Sequence, residues 1–329
     1  MREVSYSSPW VPPEWIKAHG LEPRGVWFAR DAAPLPVAAG VCAFAESVVR
    51  LAETHPAAAM IFSTHCDQLR RGFDVGAGAG ARRAFLFNLP ATWQTQVAER
   101  IFASELERLG RFLVDVGGEP PTAERLAETM TQYRRARSQL LQAAGCLSGR
   151  QYCEATAQFH WDGSVNLPEA VCVPPPDAVP LAVVGGPLPS WQAPVLDAIA
   201  RAGGHVVLNA TEAGERSLGR ACAPEQVPIA AQPIPDLLRL LTRSVLDACV
   251  DVFQRPNSRL YDWLRERLAA RKVRGIVLWH YVGCDLWRAE AQSLREAFNL
   301  PVLLLDSDGT AGDGARQEGR VQAFLEALR

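Results

Sequence analysis

The chain has 329 residues, 48% hydrophobic and 21% charged, which is enough apolar material for two cores at roughly 150 residues per domain. Lys and Arg number 34 against 36 Asp and Glu, a net charge of −2, so no basic excess points to nucleic acid or an anionic membrane as partner. No apolar run approaches the ~18 residues of a membrane helix, and the opening MREVSYSSPWVPPEW lacks an apolar secretory segment. A cytoplasmic protein is therefore expected.

Short apolar runs alternate with longer helical patterns along the chain, which argues for parallel α/β layers. Strands are expected at 25–29 (GVWFA), 58–62 (AAMIF) and 84–88 (AFLFN), with a helix running from VCAF to about 54. A helix over 94–115 places Val97, Ile101, Phe102, Leu106, Leu109 and Leu113 at helical spacing. The next, TAERLAETMTQYRRARSQLLQAAG, has Thr122 as N-cap and Gly145 as stop. Three consecutive prolines in VCVPPPDAVP interrupt the pattern. They suggest an N-terminal α/β domain with a helical segment over 1–173 and a C-terminal α/β domain over 174–329. The second half reads as strands 180–185, 205–209, 275–279 and 301–305, with helices at 190–202, 234–253, 258–271, 285–298 and 315–328. The two halves share a grammar.

Disulfides are rare in the cytoplasm, so the eight cysteines are expected to be core residues or metal ligands. Cys42, Cys66 and Cys284 stand apart: each lies beyond the carboxyl end of an expected strand and opens a helix. Open α/β sheets bind ligands at that edge, and a helix N-terminus stabilises a thiolate, the metal-binding form. Cys249, in SVLDACVDVF, reads as a mid-helix core residue, and Cys146, Cys153, Cys172 and Cys222 as structural or incidental. No CxxC pair occurs, so zinc-ribbon and ferredoxin signatures are absent. Position alone leaves two readings open, a shared metal site or three partly buried thiols at sheet edges.

Further residues carry the resemblance of this chain to a known family. VPPEWIKAHGLEPRG, LPVAAGVC, MIFSTHCDQLRRGFD and NLP follow in order, then VVGGPLP, AGGHVVLNATEAGER, KVRGIVLWHYVGCD and LPVLLLDSDGTAGDGARQEGRVQAFLEAL. This series resembles the iron–sulfur subunits of 2-hydroxyacyl-CoA dehydratases and benzoyl-CoA reductases over nearly the whole chain. The resemblance implies two Rossmann-like domains, with Cys42, Cys66 and Cys284 holding a [4Fe–4S] cluster in the cleft between them and a fourth iron position left to a non-protein ligand. It implies transfer of a low-potential electron to an acyl-CoA thioester or other small substrate, giving a ketyl radical that loses hydroxide in the dehydratases. It implies a homologous partner subunit, in a homo- or heterodimer, and a separate ATP-hydrolysing activator. One branch of the family instead builds a double-cubane [8Fe–9S] cluster across a homodimer. A non-catalytic scaffold or regulatory paralogue is the alternative from another class. The chain departs from the family at Ala213 in TEAGER and at Gly319 in the closing Gln317-x-x-Arg320 pattern.

Other candidates each have a plainer alternative. Asp67 and Arg70 either tune the cluster or cap and pair on a helix surface. His65 or His280 could join the three cysteines around zinc, though His65 neighbours Cys66 and adjacent side chains diverge. GGPLPSW (185–191) could offer backbone N–H groups to a CoA phosphate, but lacks the glycine spacing of a nucleotide loop. GTAGDGAR (309–316) reads as a flexible turn.

Overall fold

The computed structural model describes residues 2–28, 40–54, 59–78, 83–168, 174–219, 232–310 and 313–329. It holds two four-stranded parallel sheets of one topology. The first comprises β1 (Glu3–Tyr6), β2 (Glu22–Gly25), β3 (Ala59–Ser63) and β4 (Ala84–Phe87), in the order β2-β1-β3-β4. The second comprises β5 (Val179–Gly185), β6 (Gly204–Ala210), β7 (Gly275–Tyr281) and β8 (Val302–Ser307), in the order β6-β5-β7-β8. The α/β class with two Rossmann-like halves is thus what the chain adopts. In each sheet the winding reverses between the first and third strands, which opens a crevice at their carboxyl ends.

Two strand expectations need correction. Of GVWFA only Gly25 is in a strand among the described residues: Val26–Phe28 form a 3-10 turn, the strand lies earlier, over Glu22–Gly25, and Ala29 lies outside the described residues. Buried Val26 and Trp27 imitate a strand's apolar run, but they fill the core from a turn. β1, which lies beside β3 inside the first sheet, has only four residues and too little pattern to register. The expected domain junction after residue 173 borders 169–173, which lie outside the described residues.

The helices are α1 (Pro13–Ala18), α2 (Ala43–Thr54), α3 (Asp67–Gly78), α4 (Gln96–Asp115), α5 (Ala123–Ala143), α6 (Gly149–Asp162), α7 (Pro194–Arg201), α8 (Glu215–Leu218), α9 (Ile234–Ala248), α10 (Ser258–Ala270), α11 (Asp285–Phe298) and α12 (Asp313–Leu328). Thr122 caps α5 as expected, its side chain accepting from the Arg125 N–H at 3.2 Å. The helix expected over 234–253 ends at Ala248, where Cys249 turns to extended backbone. Cys249 is therefore a helix C-cap rather than mid-helix, though it is a core residue, with its thiol 3.6 Å from the Pro9 carbonyl.

α6 escaped the sequence reading and joins the two sheets. It packs on edge strand β2 of one and edge strand β6 of the other. Its start is set by a capping box, with Ser148 and Gln151 satisfying each other's backbone N–H groups. A Cβ on Gly25 would stand 2.6 Å from the His160 carbonyl, so a glycine lets β2 lie against this helix. Tyr6 donates from β1 to the same carbonyl at 2.7 Å.

Strand alternation divides the packing. Leu181 and Val183 of β5, with Val277, Trp279 and Tyr281 of β7, face a core shared with the first sheet. Ala182, Val184, Ile276 and Leu278 face an outer core closed by α10 and α11.

Buried His160 has a measurable consequence. Burial, assisted by the positive charge of Arg137, lowers its pKa to about 3. The unfolded chain takes up a proton near pH 6.5 that the folded chain refuses, so this contribution costs stability as pH falls from 6.5 towards 3. At pH 5 the loss from this residue is about 2 kcal/mol. Urea unfolding of His160→Gln between pH 7 and 5 should show a shallower fall in stability than the wild type.

Candidate functional site

Cys42, Cys66 and Cys284 occupy the same local setting. Each immediately precedes a helix, α2, α3 and α11 respectively, and each carbonyl accepts from the N–H four residues on: Glu46 at 2.9 Å, Arg70 at 3.0 Å and Arg288 at 3.2 Å. The thiols therefore stand at three helix N-termini, where the backbone field favours negative charge. Cys66 follows β3 and Cys284 follows β7, the equivalent third strands of the two sheets. Both lie at the crevice where the winding reverses.

The fold brings the three cysteine-bearing segments to one crevice, where Gln68 links them, although among the described residues no three His, Cys, Asp or Glu side chains converge on one point. Burial raises the Cys66 thiol well above its usual range, and the neighbouring Cys42 and Cys284 sulfurs push it further. Burial likewise raises Cys42, with help from the Glu212 charge, and pushes Cys284 up to about 12, with Cys42, Asp251 and Glu212 adding to it. Gln68 ties the three loops: its Oε1 accepts from the Cys42 N–H at 2.8 Å and its amide donates to the Gly283 carbonyl at 3.3 Å. Gln68 lies in the first turn of α3, two residues after Cys66, so one side chain spans all three cysteine segments. The sequence held no signal for it beyond its nearness to Cys66.

All six described cysteines are free thiols, Cys146, Cys153 and Cys249 as well as these three. Cys153 and Cys249 are buried in the core and Cys146 is exposed. Cys172 and Cys222 lie outside the described residues.

Four further residues line the region. His65 is buried, with Nδ1 2.6 Å from Ser63 Oγ and Nε2 3.7 Å from Glu212 Oε1. Burial alone would lower its pKa, but the Glu212 carboxylate outweighs that and raises it. The Arg216 guanidinium is buried and donates to the carbonyls of Ala210, Gly185 and Val250 and to Asp251 Oδ2, the last at 2.7 Å. It fastens the ends of β5 and β6 to the 250–251 turn. Tyr281 is buried between these groups, and its hydroxyl finds no hydrogen-bond partner among the described residues.

Several sequence candidates take the plainer role. Arg70 and Asp67 form an exposed pair at 3.2 Å on α3. His280 alternates with Trp279 and Tyr281 along β7, and its Nδ1 meets the Tyr281 carbonyl at 3.0 Å. In GGPLPSW the Gly186 N–H donates to the Trp279 carbonyl, so that donor is not free for a phosphate. The described part of GTAGDGAR is not a loose turn. The buried Asp313 carboxylate accepts from Ser307 Oγ at 2.7 Å and from the N–H groups of Asp308 and Gly309. A Cβ on Gly309, at φ +79°, would lie 2.5 Å from the Ala43 Cβ, so this loop is seated on the start of α2 beside Cys42.

Residues 10–328 match the family described as 2-hydroxyglutaryl-CoA dehydratase, D-component. The chain belongs to that family. It is accordingly a subunit of the 2-hydroxyacyl-CoA dehydratase type, the component of a multi-component system that the family's description names. No curated protein matches the chain. Among the described residues of this D-component relative, no helix is long and apolar enough to cross a membrane.

Proposed function

We propose that this D-component relative is an iron–sulfur subunit that passes a low-potential electron to a CoA thioester or similar small substrate. In this reading Cys42, Cys66 and Cys284 hold a [4Fe–4S] cluster, or one half of a double-cubane [8Fe–9S] cluster shared across a dimer. The chain would work with a homologous subunit and with a separate ATP-hydrolysing activator. The observation that supports the reading is the gathering of three thiols, each at a helix N-terminus, at the crevice of two equivalent sheets.

The residues fit such a group. Among the described residues no three His, Cys, Asp or Glu side chains converge closely enough for one metal ion. The two histidines beside the group hold Nδ1 against Ser63 Oγ and the Tyr281 carbonyl, and His280 Nε2 is buried without a hydrogen-bond partner among the described residues. A cluster takes each thiolate at a different iron and does not require that convergence. Three thiols raised by burial are costly to ionise alone, and a metal group that displaces their protons removes that cost. When bound, the cluster supplies an electron and, at the iron without a thiolate, a Lewis-acidic position. The chain supplies the helix N-termini that favour the thiolates, the Gln68 tie that holds their loops, and the buried walls that limit water.

Anaerobic reconstitution with iron and sulfide tests the reading. It should yield about four irons per chain and a paramagnetic signal on reduction. Fewer than about three irons, with no such signal, would sink it. Gln68→Ala should still fold but should lose bound iron to a chelator roughly tenfold faster, because the loops bearing Cys42 and Cys284 lose their common tether.

A further inference from the structure

β7 ends at the crevice, and its last residue touches two of the three cysteine segments. The Tyr281 carbonyl accepts from the Cys284 N–H at 2.9 Å, closing the turn that carries that thiol. The Tyr281 ring stacks on Phe44, with 6.2 Å between centroids and 27° between planes. Phe44 lies in the first turn of α2, two residues after Cys42. Trp279, on the same side of β7, meets the Tyr281 ring edge-on at 5.9 Å. The ring is thus fixed between the start of α2 and the turn before α11.

Its hydroxyl is left unmatched. Tyr281 is 2% exposed, and the hydroxyl has no hydrogen-bond partner among the described residues. Burial, with the charges of Cys42, Glu212 and Asp313 behind it, keeps the phenol protonated, so the group is a donor. Both of those carboxylates already have partners. Asp313 accepts from Ser307, Asp308, Gly309 and Arg316, and Glu212 lies 3.7 Å from His65 Nε2. A buried donor without an acceptor is costly, and phenylalanine would fill the same space without that cost. The unmet donor points to an acceptor that arrives with the bound group.

We propose that the Tyr281 hydroxyl donates a hydrogen bond to an inorganic sulfide of the cluster proposed at Cys42, Cys66 and Cys284, and so raises its reduction potential. This deepens the iron–sulfur reading and rests on it. A sulfide supplies the acceptor that the surrounding side chains do not. Reduction adds negative charge to the sulfides, so the hydrogen bond strengthens in the reduced state and stabilises it. The proton stays on the phenol oxygen throughout. Tyr281 binds no iron and exchanges no electron, and it acts on the potential only through the sulfide.

The test compares the full-length wild type with Tyr281→Phe, which keeps the ring and its contacts. After anaerobic reconstitution the reduced form of Tyr281→Phe should be disfavoured roughly tenfold, a midpoint about 59 mV below that of the wild type. Equal midpoints overturn the proposal while leaving the cluster reading intact. Before reconstitution, urea should unfold iron-free Tyr281→Phe no sooner than the iron-free wild type, because the hydroxyl has no bond to lose. A less stable iron-free variant would show that the hydroxyl already has a protein acceptor, and overturns the proposal. The wild type alone gives a check that does not depend on how the variant folds. Grown on ring-deuterated tyrosine, it should show a label-shifted tyrosine band in its reduced-minus-oxidised infrared spectrum, and a spectrum without one overturns the proposal. A wild type that binds no iron removes the cluster reading and this inference together.

Discussion

A Cys66→Ser chain is expected to fold normally and to retain at least about tenfold less iron after reconstitution than the wild type. Cys66 opens the helix whose Gln68 side chain reaches both other cysteine segments, accepting from the Cys42 N–H and donating to the Gly283 carbonyl. A serine hydroxyl keeps the volume but stays protonated, so it cannot replace a thiolate. The same loss should follow for Cys42→Ser and Cys284→Ser, although these residues lie on different elements. Cys146→Ser provides the contrast: that thiol is exposed, on the connection from α5 to α6, and its replacement should leave iron content unchanged. Iron and sulfide analysis on the four chains reads the result. Equal iron in Cys66→Ser and wild type would remove the cysteine trio from the proposed site.

Arg216→Met is expected to have the largest effect on stability, about 3–5 kcal/mol. The substitution leaves the buried Asp251 carboxylate without its cation and strands the carbonyls of Gly185, Ala210 and Val250. Removing one partner of a buried pair costs more than the pair contributes, because the remaining charge cannot reach water. The double variant Arg216→Met/Asp251→Leu should therefore recover part of the loss. Urea denaturation monitored by tryptophan fluorescence checks both. A single variant within about 1 kcal/mol of wild type would show that the pair does not fasten the ends of the second sheet.

Alternation of short apolar runs with amphipathic helices was enough to expect two parallel α/β halves, and the strands at 58–62, 84–88, 180–185, 205–209, 275–279 and 301–305 fall close to β3 through β8. The elements that were not legible are short or depend on context. β1 has four residues and α1 six, too few to show a period. α6 is buried on several sides, so its apolar residues do not form the stripe that marks a surface helix. GVWFA misled because buried aromatic and β-branched residues have the same composition in a 3-10 turn as in a strand.

The candidate site divides in the same way. Local sequence determined that Cys42, Cys66 and Cys284 would each open a helix, since that depends only on a few neighbouring residues. The outer fold class was determined at the same level, because periodicity along the chain reflects which faces must leave water. Only the tertiary structure decided that these sulfurs, separated by up to hundreds of residues in sequence, share one crevice with Glu212 and His65. It also decided that Gln68 bridges two of their loops, and that Asp67 and Arg70 face outward instead. Meeting across a cleft requires the matched winding of both sheets and the wedge of α6 between their edge strands, and no local pattern encodes contacts that the folded backbone alone brings within reach.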